Sequence, residues 1–195
     1  MIATEVQRTP HVHRWTRDEY YGIAALGFFE GRHVELIEGN VIEMSPMGTA
    51  HATAVGLVSD TLRPSLSPGF FDRCQQPLDL AEISEPEPDV AFIAGHRRDY
   101  GQSHPDRASL IVEVSDSSLD YDRKEKASLY AKAGILDYWI VNLVDRCLEV
   151  RRDPAPDPAA THGFDYATVI VLGPADTLSP LAKPQAVVRV ADLLP

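Results

Sequence analysis

Three charged residues in this chain are hard to accommodate unless they act together. Glu113 sits in the middle of Leu110-Ile111-Val112-Glu113-Val114, a run otherwise suited to a buried strand. Asp89 stands between Pro88 and Val90, at the mouth of a second apolar run that ends at Ile93. Lys126 lies on a helical stretch that follows the first run. An unpaired carboxylate among Leu, Ile and Val is costly, and a chain keeps one where a metal ion, a cation or a proton holds the charge. Two acids and a lysine on one framework are the parts needed for metal-assisted cleavage of a phosphodiester.

Strand parity decides whether they can meet. Alternate residues of a strand share a face, so Glu113 shares one with Ile111 and Ser115, and Asp89 shares one with Ala91 and Ile93. If the two strands are neighbours, both carboxylates reach one ion from one side of the sheet. Oxygen-only ligands with open positions suit Mg²⁺ or Mn²⁺. Without the ion, crowded like charges should raise at least one carboxyl pKa. Helix phase is a second test. At about 100° per residue from Ala127, Lys126 falls at about 260°, inside the apolar arc that runs from Leu129 (about 200°) and Ala133 (about 240°) through Tyr130, Gly134 and Ala127 to Ala131 (about 40°). Lys124, Glu125, Ser128 and Lys132 occupy roughly 60° to 160°, the polar face. Arg123 also falls on the apolar arc, but in the first turn, where side chains reach solvent. The competing reading is a buried Asp–Glu–Lys network without activity.

These residues need elements to hold them. Thr16 with Glu19 predicts a capped helix running to about Phe29. Val34–Ile37 and Val41–Met44 flank Glu38-Gly39-Asn40 as a hairpin. A second helix is expected over His51–Leu62, closed by Pro64 and Pro68. Strands are expected at 78–83, 89–93, 110–114, 138–141, 148–150, 166–172 and, last, 187–190. A helix is expected over 123–133, with Gly134 after it, and loops at 95–107 and 153–158. The order implies an α/β (mixed α+β) domain on one central sheet. Residues 1–14 read as a flexible arm and 15–195 as a single domain.

Composition narrows the class. The chain has 195 residues, 44% hydrophobic and 24% charged, which fits a globular protein with a real core. No apolar run reaches the roughly 20 residues of a membrane span, and no signal-peptide core is visible, so a cytoplasmic location is expected. Cys74 and Cys147 lack CxxC spacing and are expected reduced and buried. The net charge of −11 argues against a general nucleic-acid binder, because phosphate neutralisation supplies most non-specific affinity. It leaves a nuclease open, since divalent ions and local basic clusters can supply attraction. His96-Arg97-Arg98 and Arg123-Lys124 with Lys126 are two such clusters. Lesser candidates are His51, as a cap, core or substrate contact, and Gln76, before a strand and facing the cleft. Glu35 reads equally as an exposed hairpin acid. His11 and His13 lack further metal ligands.

The segments Val34–Pro46, Pro88-Asp89-Val90, Val112–Ser115 and Asp122–Val141 carry a family resemblance. Over roughly residues 15–190 the chain resembles the bacterial Uma-type family, restriction-endonuclease-like members of the PD-(D/E)XK nuclease superfamily. The resemblance implies a central mixed sheet flanked by helices and Mg²⁺ (or Mn²⁺) as cofactor. It also implies a nucleic-acid substrate, expected to be DNA, with Asp89 and Glu113 as metal ligands. Ser115 stands where the superfamily pattern has its lysine, and Lys126 is the implied replacement. Glu35 matches another acidic position and His51 a position that often holds histidine. Cutting both strands of a duplex would suit a homodimer. The alternatives are a silent interaction or regulatory protein on the same fold, and a hydrolase of small phosphoesters.

Overall fold

The computed structural model describes residues 10–195. Helix α1 (Arg17–Ala25) starts on the expected capping box: the Thr16 hydroxyl accepts from the Glu19 N–H, and the Glu19 carboxylate accepts from the Thr16 N–H. Strands β1 (Val34–Ile37) and β2 (Asn40–Glu43) form the hairpin. Its turn has positive φ at Glu38 and Gly39, the pattern of a type I′ turn. Gly39 is required there, because a Cβ would lie 2.4 Å from the Arg14 Cβ. The first nine residues of the expected arm lie outside the described residues. Residues 10–14 have no regular structure, and the Arg14 guanidinium donates to the Glu38 carbonyl at 2.9 Å.

Helix α2 runs Thr49–Leu66, past the proline expected to end it. Pro64 removes one hydrogen bond, but fully buried Leu62 and Leu66 on either side anchor the last turn. Six strands make the central sheet in the order β3-β4-β5-β6-β7-β8. They are β3 (Phe70–Arg73), β4 (Val90–Ala94), β5 (Leu110–Ser115), β6 (Asp137–Asn142), β7 (Cys147–Pro156) and β8 (Phe164–Leu172). Only β5 and β6 are parallel, joined through α3 (Leu119–Tyr121), a π-helical turn (Asp122–Lys126) and α4 (Ala127–Lys132). One face of the sheet, with Val90, Phe92, Val112 and Trp139, packs on Val58 and Leu62 of α2. The other, with Ala91, Ile93, Ile111 and Tyr138, packs on Tyr130 and Ala131 of α4 and Ile37 of the hairpin. A short pair, β9 (Thr177–Leu178) with β10 (Val188–Arg189), closes the chain.

Several expectations need correcting. No strand forms at 78–83: the edge beside β4 is taken by β3, which leaves that segment no ladder to join. The 153–158 loop is largely strand, since β7 extends to Pro156. Its pairing with β6 ends at Arg152, so Pro154 and Pro156 meet only β8 and interrupt no second ladder. Ser128, placed on the polar face, is buried, because the chain entering β8 covers that side of α4. Its hydroxyl donates to the Phe164 carbonyl at 2.6 Å. Cys74 and Cys147 are free thiols, but half-buried. No helix among the described residues is long and apolar enough to cross a membrane.

Asp137, at the start of β6, is a second carboxylate in an apolar strand, and it is fully buried. It accepts from the Trp139 indole N–H (2.8 Å), the Arg152 Nε (2.8 Å) and the Leu181 N–H (2.8 Å). Its role is structural. Asp137→Ala should strand these donors and cost about 3–5 kcal/mol, the scale of breaking a buried ion pair. Urea denaturation measures the loss, and a change below about 1 kcal/mol would contradict this role.

Candidate active site

Register brings the two carboxylates together. Val90 pairs with Val112, so one step outward Asp89 lies opposite Glu113. The Asp89 N–H donates to Glu113 Oε2 at 2.9 Å, and the Val114 N–H donates to Asp89 Oδ2 at 2.9 Å. Both side chains belong to the α4 side of the sheet, as parity requires. Asp89 Oδ1 lies 3.0 Å from His51 Nε2, in the first turn of α2, and accepts from Gln75 Nε2 at 3.2 Å. Gln76, the residue expected to line the cleft, is exposed, and its neighbour Gln75 takes that place. The two are adjacent, and only the left-handed backbone at Gln75 (φ 49°), invisible to strand alternation, decides which one turns inward.

Lys126 faces the sheet, while Lys124 and Lys132 are exposed. Its ammonium, 2% exposed, donates to Glu35 Oε2 at 2.5 Å and lies 3.5 Å from Glu113 Oε1. Glu35 is therefore buried rather than an exposed hairpin acid. The buried Tyr130 hydroxyl, one helical turn from Lys126, donates to Glu113 Oε1 at 2.7 Å. Ser115 does not reach into this group. Its hydroxyl donates to Asp122 Oδ2 at 2.5 Å, and Ser118 donates to the same oxygen at 2.6 Å. Sequence reasoning missed Asp122, Gln75 and Tyr130. The i, i+4 spacing of Lys126 and Tyr130 was a usable signal.

The charges do not balance. Glu35, Asp89, Glu113 and Asp122 are buried around one buried lysine. Burial pushes the Glu113 carboxyl up to about 8; Lys126 opposes this, and Asp89, Asp122 and Glu35 add to it. Burial also raises Asp122, against hydrogen bonds from Ser115 and Ser118. For Lys126, burial acts to lower the pKa, but Glu35 and Glu113 overcome it and the net shift is upward. His51 is raised as well: burial opposes protonation, and the Asp89 contact outweighs it. Among the described residues, no group of three or more His, Cys, Asp or Glu side chains converges as a metal cage.

These residues line a cavity of about 730 Å³. The basic clusters expected to meet phosphate are largely committed elsewhere. Arg97 pairs with Asp72 at 2.8 Å, Arg123 with Glu149 at 2.6 Å and Lys124 with Asp120 at 2.9 Å.

The model of the Uma2 family, described as "Putative restriction endonuclease", matches residues 17–191. The chain belongs to the Uma2 family. No curated protein matches it. Among solved structures, it is similar to one described as a "putative nuclease" from Anabaena variabilis, with a TM-score of 0.68 and 14% identity. The likeness covers 92% of this chain and 97% of that one, and at this identity it is one of fold. The central mixed sheet and its flanking helices are thus those of a nuclease-like fold.

In this Uma2 protein the raised Glu113 pKa has a stability consequence. Unfolded, the carboxyl ionises near its ordinary value of 4.5, whereas burial in the folded protein pushes it up to about 8. The folded state binds more protons in this window, so stability falls as pH rises from about 4.5 to about 8. Glu113→Gln, which cannot ionise, should flatten that slope and gain stability relative to wild type at pH 8 more than at pH 5. Urea melts of both proteins in metal-free buffer at these pH values measure this. Parallel pH dependences would show that Glu113 stays ionised.

Proposed function

We propose that this protein is a metal-dependent nuclease that hydrolyses phosphodiester bonds, DNA being the expected substrate. Asp89, Glu113 and Lys126 form the catalytic group. The observation that carries the reading is the inward ammonium of Lys126 beside Glu113, which faces Asp89 across adjacent strands. The donor set fits Mg²⁺ or Mn²⁺: the ligands are hard oxygens, and the buried acids outnumber the buried lysine. Two carboxylates completed by water are a usual Mg²⁺ environment. Bound by Asp89 and Glu113, such an ion would supply Lewis-acid polarisation of a phosphoryl oxygen and acidify water.

The chain's own groups would do the rest. The Tyr130 hydroxyl and the Asp89 N–H fix the Glu113 carboxylate, and Gln75 and His51 fix Asp89. Glu35 keeps Lys126 charged and aimed, which makes it the lysine's counterion. The ammonium can then hold the attacking water or stabilise negative charge on the phosphoryl group in the transition state. A cavity of small-ligand size also suits a small phosphoester. Competition between a short oligonucleotide and a simple aryl phosphate separates the two substrates.

Titration calorimetry should register Mn²⁺ binding that Glu113→Gln weakens strongly. Equal binding by both proteins would favour a silent charge network. With metal present, Lys126→Ala, or Lys126→Met to keep the aliphatic volume, should lower the cleavage rate of an oligonucleotide roughly 10²-fold or more. Mn²⁺ affinity should change little, and Lys124→Ala should cut almost as wild type. A Lys126→Met protein that melts like wild type and cuts as fast would remove the lysine from the chemistry.

A further inference from the structure

The cavity has two unlike walls. Its floor is charged, with Asp89, Glu113, Glu35 and Lys126. Its outer wall, from β2 and the loop before α2, is largely apolar, with Ile42, Met44, Pro46 and Met47 beside Ser45 and Glu43, the latter paired with Arg32 at 3.6 Å. Phosphates do not select for Ile, Met and Pro. The wall continues outward through Arg32, which also lines the cavity. The Arg32 guanidinium lies 5.8 Å from the Phe28 ring centroid and 5.7 Å from that of Phe29, and Arg32 Nη2 donates to the Phe28 carbonyl at 2.8 Å. Phe29 stacks on Tyr20 at 5.4 Å and is held by α1. Phe28 is 67% exposed. It is turned outward by a tight loop with left-handed glycines at Gly27 and Gly31.

An aromatic ring in solvent beside an arginine, at the rim of an apolar wall, matches the platform on which unpaired nucleobases stack. The charge distribution points the same way. The protein carries −11, and Arg97, Arg123 and Lys124 are paired with acids. Counterion release, the main source of duplex affinity, is opposed by that net charge, and these three clustered cations already have acid partners. Base contact must then supply affinity that phosphate contact does not, and in a duplex the base faces are already stacked.

Resting on the nuclease reading, we propose that the substrate is single-stranded or locally unpaired nucleic acid. Its bases lie along the Ile42–Met47 wall and one of them stacks on Phe28 beside Arg32, which brings the backbone phosphate to the charged floor. The experiment uses a single-stranded oligonucleotide carrying 2-aminopurine, and the same oligonucleotide annealed as a duplex, with wild type and with Phe28→Ala and Phe28→Tyr, in EDTA and in Mn²⁺. Expected are quenched fluorescence and tighter binding for the single strand than for the duplex. The salt dependence should be shallow, with a slope of log K on log salt no steeper than about −2. Phe28→Ala should weaken single-strand binding roughly tenfold or more, the scale of one lost stacked base, and Phe28→Tyr should restore it. Because Phe28 is exposed, its variants should melt like wild type.

Duplex binding as tight as single-strand binding, or single-strand binding unchanged in Phe28→Ala, would overturn the proposal. So would a Phe28→Ala protein that loses only self-association in sedimentation, which would make the ring a contact between copies. The two readings fail separately. Phe28-dependent binding without cleavage in Mn²⁺ would sink the nuclease reading and keep the binding surface. Duplex cleavage unaffected by Phe28→Ala would do the reverse.

Discussion

One ammonium organises this molecule. Lys126 is buried between a carboxylate from the hairpin and a carboxylate from the central sheet, 2.5 Å from Glu35 and 3.5 Å from Glu113. Withdrawing the ammonium and the Glu35 carboxylate from water is costly and is offset only while the pair stays in place. The hairpin β1–β2 pairs with no strand of the six-stranded sheet. Ile37 packs it against the α4 face of that sheet, and polar contacts fix it there, among them Lys126 on Glu35, Lys132 on Glu38 at 2.7 Å and the Glu85 N–H on the Leu36 carbonyl at 2.7 Å. The interaction that sets the charge of the cavity floor therefore also docks the element that forms the outer wall. Loosening the lysine would disturb chemistry and shape together.

The π-helical turn makes this placement possible. Its wider winding includes a bond from the Ala127 N–H to the Asp122 carbonyl, five residues back. Such turns are frequent at functional sites. Here the turn buries both Asp122 and Lys126, so one winding carries an acid and a base toward the end of β5. Asp122 then takes the Ser115 hydroxyl. Ser115 is fully buried and does not line the cavity, whose ammonium arrives from the helix. A cation thus stands beside Glu113 without a lysine on the packed central strand.

What could be read in advance follows the range of the forces involved. Strand alternation placed Glu113 with Ile111, and Asp89 with Ala91, on one face. Helix phase turned Lys126 inward and Lys124 outward. Both are local periodicities, and tertiary packing had no reason to override them. The misses depended on distant neighbours. Residues 78–83 alternate like a strand, but β3 holds the edge they would need. Ser128 follows a polar phase, but the chain entering β8 covers it. The basic residues near positions 97 and 123 looked like phosphate ligands until Asp72 and Glu149, far off in sequence, claimed them. Gln75 displaced Gln76 through one positive φ. The charged floor of the cavity was legible, whereas the loop that leaves Phe28 exposed beside Arg32 was not.

Asp137 marks the limit of the pattern that pointed to the site. Like Glu113 it is a carboxylate in an apolar strand, on the neighbouring strand and equally buried. Nothing in the local sequence separates them. The difference lies in what meets each carboxylate. Asp137 is met by donors alone, two of them neutral N–H groups and one a guanidinium, and all fixed by the fold, so no further cation is called for. Glu113 is met by one lysine, a hydroxyl and a backbone N–H, with Asp89, Glu35 and Asp122 close enough to raise its pKa. A buried acid surrounded by donors is finished structure. A buried acid surrounded by other acids on the floor of an open cavity has an unmet demand for positive charge, and that demand is what the proposed metal-dependent chemistry rests on.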